Sequence, residues 1–277
     1  MKYINQATLK QTIRVRPDNS FKGTYGHITL VGGNANFGGA IIMATMAAVY
    51  SGAGLVTTLT DPANKTSIHA QLPEAMVADY HNVDTLTSSV QGADVIVIGC
   101  GLGTDAEALA VLKTVFKTVT PEQLLIIDGS AITMVATEHL SLPDARIILT
   151  PHQIEWQRLS GIKLADQSDV ARNQTVRDQL NAIVVLKSHR TQVYTKDDVY
   201  ENTAGTPAQA TGGMGDTLAG MVGGFVAQFA NKENAVAAAV YAHSAIADQL
   251  AQNQYVVLPH QIIHHIPQFM KQNEADK

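Results

Sequence analysis

The sequence predicts a single α/β domain over residues 1–277, with a mostly parallel central sheet and helices on both faces. Three observations carry that reading. Short β-branched runs alternate with helix-forming stretches along nearly the whole chain. The runs are four to six residues long, mostly β-branched, and turn polar at their C-terminal ends. No low-complexity segment, internal repeat or long Pro/Gly linker divides the 277 residues. A strand covered on both faces reads as an unbroken apolar run, and a βαβα rhythm places its helices on either side of a parallel sheet.

The elements follow in order. His27–Val31 is a short strand that ends at Gly32-Gly33, and Gly39–Ser51 is its helix. Leu55–Leu59 is the next strand. Asp94–Ile98 ends at Gly99, Leu124–Ile127 at Asp128, Arg146–Leu149 at Thr150-Pro151, and Ile183–Leu186 at Lys187. Helices are predicted at about 105–118, 130–138, 152–160 and 166–181. Gln192–Tyr194 and Val199–Tyr200 form a hairpin around Lys196-Asp197-Asp198, and the chain is helical from Gly215 to its end.

Composition bounds the function. Charged residues are 16%, against about 25% in typical soluble domains, which suits a large interior. With a net charge of −5 and no basic run longer than two residues, nothing attracts nucleic acid as a partner. An anionic ligand would need local donors, such as helix N-termini. A lone cysteine, Cys100, excludes a disulfide framework and a cysteine-based zinc site. The opening MKYINQATLK lacks a signal-peptide core, and the apolar stretches 218–230 and 235–242 fall short of the roughly 20 residues a membrane helix needs. The expectation is a cytoplasmic protein with no membrane partner.

Ligands of open parallel sheets sit beyond the C-terminal strand ends. Five such ends carry glycine or polar residues: Gly32-Gly33, Gly99–Gly103, Asp128-Gly129, Thr150-Pro151-His152 and Lys187-Ser188-His189. The strongest local signal is Thr211–Gly220, TGGMGDTLAG. It opens a helix whose Leu218, Met221, Val222, Phe225, Val226 and Phe229 form one buried stripe. Ala219, Gly220, Gly223, Gly224 and Ala227 flank that stripe and admit a close neighbour. Such an N-terminus offers free N–H groups and the positive helix end to an anion. Asp216, in the first turn, reads either as a cap or as a general base; a plain cap does not require three glycines in the preceding four residues. No Gly-Lys-Ser/Thr follows, so this is not a Walker A loop, and its late position excludes a Rossmann fingerprint.

Gly212-Gly-Met-Gly-Asp216 resembles the anion-hole motif of ribokinase-like enzymes. Further segments resemble the ADP/ATP-dependent NAD(P)H-hydrate dehydratases: Lys22-Gly-Thr-Tyr-Gly26, Val31-Gly-Gly…Gly39-Ala40, Ser51-Gly-Ala-Gly-Leu-Val56, Gly99-Cys-Gly-Leu-Gly103, Asp128-Gly-Ser-Ala131, Leu149-Thr-Pro-His-Gln-Ile-Glu155 and Val185-Leu-Lys187. The resemblance spans about residues 10–270. The chain departs from the family's pattern at Met214 (usually Thr), Cys100 (usually Pro), Gly129-Ser130 and Ser188 (usually Gly). It is too short to carry the epimerase domain that some members have fused to them.

The resemblance implies a ribokinase-like fold and a nucleotide-dependent dehydration of (S)-NADHX or (S)-NADPHX to NADH or NADPH, with ADP giving AMP and phosphate. It implies Asp216 as the base, with the amides of Gly213, Met214, Gly215 and Asp216 holding the transferring phosphoryl group. Nucleotide would lie along Lys187, Ser188, His189, Arg190, Thr191 and Gly215. Substrate would meet Ala40, Gly99, Gly101, Gly103, His152 and Asp216. Glu155 would stand near Mg2+, directly or through water. ADP or ATP would be the co-substrate, and the assembly a homotetramer. Rival readings are a vitamin kinase of the same fold, acting on hydroxymethylpyrimidine or hydroxyethylthiazole, and a non-catalytic nucleotide-binding protein. Trp156 reads as core, Cys100 as a small apolar filler, and His264-His265 as a solvated helix face.

Overall fold

Each predicted β-branched run forms a strand. The computed structural model describes residues 1–275. Its strands are β1 (Lys2–Ile4), β2 (His27–Val31), β3 (Leu55–Thr60), β4 (Met76–Asp79), β5 (Val95–Ile98), β6 (Leu124–Ile127), β7 (Arg146–Leu149), β8 (Ala182–Leu186), β9 (Gln192–Tyr194) and β10 (Val199–Asn202). Its α-helices are α1 (Gln6–Thr12), α2 (Gly38–Tyr50), α3 (Lys65–Gln71), α4 (Val83–Gln91), α5 (Ala106–Thr118), α6 (Gly129–Thr137), α7 (Gln153–Ser160), α8 (Val170–Leu180), α9 (Met214–Gln228), α10 (Lys232–Ala251) and α11 (Pro259–Gln272).

The strands form one sheet in the order β1-β10-β9-β8-β7-β6-β5-β2-β3-β4. The run from β8 to β4 is parallel throughout, whereas β9 pairs antiparallel with β8 and with β10. Valine, isoleucine and leucine line both faces of β5 to β8 because both faces are covered. On one side pack α1, α2, α3, α9, α10 and α11. On the other pack α4 to α8, with Trp156 fully buried and its indole N–H donating to Asn173 at 2.8 Å. Trp156 is therefore core, as its sequence context suggested.

Some elements were not expected. β1 and β4 lie at the two edges of the sheet, and α1, α3 and α4 fill connections that carry no clear helical stripe in the sequence. The helix expected over 166–181 starts at Val170, where Asp169 accepts from the Arg172 amide and caps it. His264 and His265 are exposed on α11, as expected. Among the described residues no helix is long and apolar enough to cross a membrane.

Two features of this arrangement place the site. The strand order reverses between β5 and β2, which leaves a crevice at their carboxyl ends, the usual ligand position in such sheets. Beside it, α9 lies almost against α2. A Cβ at Gly220 would run into the Ala44 carbonyl, and one at Gly224 would meet the Ala48 carbonyl at 3.0 Å. Gly220→Ala would gain helix propensity but must push two backbones apart, so it is expected to cost about 1–3 kcal/mol. A urea midpoint at or above that of wild type would contradict this close contact.

Candidate active site

The crevice is walled by two glycine loops that hold each other. The Gly33 amide donates to the Cys100 carbonyl at 2.8 Å, and the Asn34 amide to the Gly101 carbonyl at 2.8 Å. Gly99, Gly101 and Gly103 have φ of 119°, 62° and 90°, where a side chain is strained. A Cβ at Gly101 would meet that of Ala40 at 2.8 Å, and one at Gly103 would meet Asn34 Nδ2 at 2.8 Å. Ala40, Gly99, Gly101 and Gly103, predicted as substrate contacts, are thus brought together at the β2/β5 crevice.

The 212–216 turn stands beside them. Gly213, with φ of 93°, is the N-cap of α9, and Met214, Gly215 and Asp216 are its first three residues. Their amides have no carbonyl one turn earlier, and the first bond of the helix runs from the Thr217 amide to the Gly213 carbonyl at 3.0 Å. A Cβ at Gly213 would strike the Met43 side chain. The glycine therefore lets the turn close onto α2 while leaving the amides free for an anion.

Three strand ends supply the charged groups. Lys187, after β8, places Nζ 2.8 Å from Asp128 Oδ1, after β6, and Thr150 Oγ1, after β7, donates to the same oxygen at 2.6 Å. Burial works against the charge on Lys187, but Asp128 and Glu155 outweigh it and hold its pKa above the usual lysine value. The same Nζ lies 3.2 Å from where a Cβ at Gly215 would be. A positive charge thus stands at the helix N-terminus predicted to hold a phosphoryl group.

Asp216 is half-buried here. Burial, with Asp128 adding to it, pushes its carboxyl from 3.8 up to about 6, while Lys187, the Cys100 thiol and its own amide pull the other way. A carboxylate near pH 6 is a stronger base than an exposed aspartate and is still ionised at neutral pH. If Asp216 acts as base, turnover is expected to rise as pH climbs through about 6. An acid limb centred a full unit or more lower would exclude it.

His152 and Glu155 lie beside the pair. His152 is the N-cap of α7: its Nδ1 accepts from the Ile154 and Glu155 amides, and Glu155 Oε2 accepts from the His152 amide at 2.7 Å. The His152 amide thus closes a capping box, and Nε2 lies 3.3 Å from Glu155 Oε1. Burial pushes Glu155 from 4.5 to about 7, Asp128 adds to the rise, and Lys187 opposes it. Both of its oxygens are already engaged by His152, so the carboxylate suits a magnesium ion met through water better than direct ligation.

A carboxyl with a raised folded pKa favours the folded state when protonated. Its contribution is complete below about 4.5 and is lost as pH rises through about 7. That loss is about 3 kcal/mol. Buried His243, pushed down to about 4, acts oppositely: its contribution is present above 6.5 and lost as pH falls toward 4. The test is therefore the difference between proteins. Between pH 5 and 7.5, Glu155→Gln is expected to lose less stability than wild type in urea, and parallel curves would contradict the assignment.

The segment expected to hold nucleotide forms a tight exposed turn. Ser188 Oγ donates to the Arg190 carbonyl at 2.8 Å, Arg190 Nη1 donates to the Thr203 carbonyl at 2.9 Å, and the Asn202 amide donates to the Thr191 carbonyl at 2.9 Å. Ser188, His189 and Arg190 are exposed at the rim, and Lys187 reaches the amide turn at Gly215. Sequence reasoning singled out Asp128 and Thr150 as strand-end residues but gave them no role. The signal was present in Lys187, because a lysine ending a fully buried strand needs a carboxylate partner.

An amide turn at a glycine-bounded helix start, a half-buried carboxylate and a fixed lysine meet at the carboxyl ends of a parallel sheet, and the chain is of the ribokinase-like class. The crystal structure of a ribokinase-like superfamily protein from Enterococcus faecalis superposes with a TM-score of 0.98 and 46% identity, over 100% of this chain and 97% of that one. The family model for NAD(P)H-hydrate dehydratase matches residues 28–268, and the chain belongs to that family. A Lactiplantibacillus plantarum protein named ADP-dependent (S)-NAD(P)H-hydrate dehydratase is 58% identical over 270 residues, 98% of this chain and 97% of its own length. An ADP/ATP-dependent NAD(P)H-hydrate dehydratase from Bacillus subtilis, co-crystallized with ATP/Mg2+, has a TM-score of 0.87 and 27% identity over 99% of both chains.

Proposed function

We propose that this chain repairs hydrated nicotinamide nucleotides, converting (S)-NADHX or (S)-NADPHX and ADP to NADH or NADPH, AMP and phosphate. Family membership and the name of the L. plantarum relative support the reaction and the donor. The observation that carries the chemistry is the Asp216 carboxyl beside unpaired helix-start amides, with Lys187 against the same turn.

Asp216 takes the proton of the ring hydroxyl, whose oxygen attacks the terminal phosphorus of ADP. The bond from that phosphorus to the AMP oxygen breaks. The amides of Gly213, Met214, Gly215 and Asp216 bear the negative charge of the transferring group. Phosphate is a far better leaving group than hydroxide. Its departure, with loss of a neighbouring ring proton, restores the double bond of the dihydronicotinamide. Lys187, held by Asp128, which in turn accepts from Thr150, faces the phosphates, and Ser188, His189, Arg190 and Thr191 line the nucleotide side. Ala40, Gly99, Gly101, Gly103 and His152 shape the substrate side. Magnesium, held mainly by nucleotide phosphates and reached by Glu155 through water, would neutralise phosphate charge when bound.

The test is absorbance at 340 nm after adding ADP, or ATP in a parallel sample, to hydrated NADH. A rise with release of free phosphate is expected, and faster with ADP. A phosphorylated alcohol without any rise would mean a kinase of the same fold. Nucleotide binding with no turnover would mean a non-catalytic protein.

A further inference from the structure

Cys100 is 1% exposed and stands where β5 meets the crevice. Its Sγ, an Asp128 carboxylate oxygen and an Asp216 carboxylate oxygen all lie within 4.8 Å of one another. The sulfur is 3.7 Å from Asp128 Oδ2, the oxygen that Lys187 and Thr150 leave unused. Asp216 has no such retinue: its carboxylate takes no hydrogen bond from a side chain among the described residues, and the thiol lies within 4.8 Å of it. The groups of neighbouring elements that face its carboxylate are Cys100 after β5, Asp128 after β6 and Lys187 after β8. On the elements packed against α9, His243 on α10 is buried and neutral, His260 and His264 lie on α11, and Tyr50 on α2 pairs with His264. Lys22, Tyr25 and His27 lie by the far end of α9, where Gly26 meets Ala227.

A thiol so buried, and flanked by two carboxylates, is held well above its ordinary pKa. It is therefore a neutral S–H donor and a poor nucleophile. We propose that Cys100 is a positioning residue for Asp216: its S–H donates to the Asp216 carboxylate before proton transfer and swings to Asp128 Oδ2 once Asp216 has taken the substrate proton. No bond to sulfur forms or breaks. The hydrogen bond fixes the carboxylate toward the amide turn, favours its ionised form, and is given up as the base is protonated. This inference rests on Asp216 being the base.

Because the chain has one cysteine, the S–H infrared stretch of the wild-type protein reports this group alone. The band is expected to shift as pH passes through about 6, with the titration of Asp216. In Cys100→Ala and Cys100→Val, the acid limb of turnover is expected to move up by about one pH unit. Plateau turnover should fall about tenfold, the worth of a hydrogen bond to a charged group. Cys100→Ser, which keeps a donor, should restore both. An S–H band that ignores pH, or donor-free variants with the wild-type limb, would overturn the role. The first holds even if those variants do not fold. Asp216→Asn is run alongside: if it stays active, the base assignment fails, whereas if it is inactive and the thiol results are negative, only the role of Cys100 fails.

Discussion

Asp216→Asn is expected to lower turnover by about 10²- to 10⁴-fold, the usual contribution of a general base, while ADP affinity stays nearly unchanged. Asparagine keeps the size and the place in the first turn of α9, so the amides of Met214 and Gly215 remain where they are. What disappears is the acceptor for the hydroxyl proton. Nucleotide affinity should hold because the Lys187–Thr191 turn does not depend on Asp216: its hydrogen bonds run within the turn and to Asn202 and Thr203. Single-turnover rates with hydrated NADH and a separate ADP titration measure the two quantities. A mutant with more than a third of wild-type turnover would remove the base assignment.

Asp128→Ala is expected to cost the most stability, about 3–5 kcal/mol, the range for removing one partner of a buried ion pair. It leaves the Lys187 ammonium with a side chain only 19% exposed and takes away the acceptor of Thr150 Oγ1. It also frees the lysine from its place against Gly215, so activity falls with stability. Urea unfolding of Asp128→Ala, Lys187→Met and the double variant separates the causes. The double variant should lose clearly less than the sum of the singles, because the second change removes the charge that the first left unpaired. Additive losses would mean that the two side chains are not coupled.

How much of this was legible in the sequence follows from burial. β5 to β8 are covered on both faces and read as nearly unbroken apolar runs, while β2 and β3 read as strands through their β-branched residues, threonine included. β1 and β4 sit at the sheet edges, where Lys2, Tyr3 and Met76 are exposed, and such short mixed segments carry no period. The glycine loops were legible because Gly99, Gly101, Gly103 and Gly213 have positive φ and pack where no side chain fits. The Lys187–Asp128 pair was not. Its partners are 59 residues apart and meet only because β7 lies between β6 and β8. The place of Cys100 between two carboxylates was hidden for the same reason. As a sequence position it read as a filler, and it is indeed buried, but its neighbours come from β6 and α9.

The most direct measurement is a crystal structure with ADP, magnesium and a planar phosphoryl mimic such as aluminium fluoride. The expected result has the mimic held by the main-chain amides of residues 213–216, with the Asp216 carboxylate within hydrogen-bond reach of the attacking oxygen and Lys187 on the nucleotide side. Amides of residues 213–216 that stayed without the mimic, with it bound elsewhere, would contradict the account.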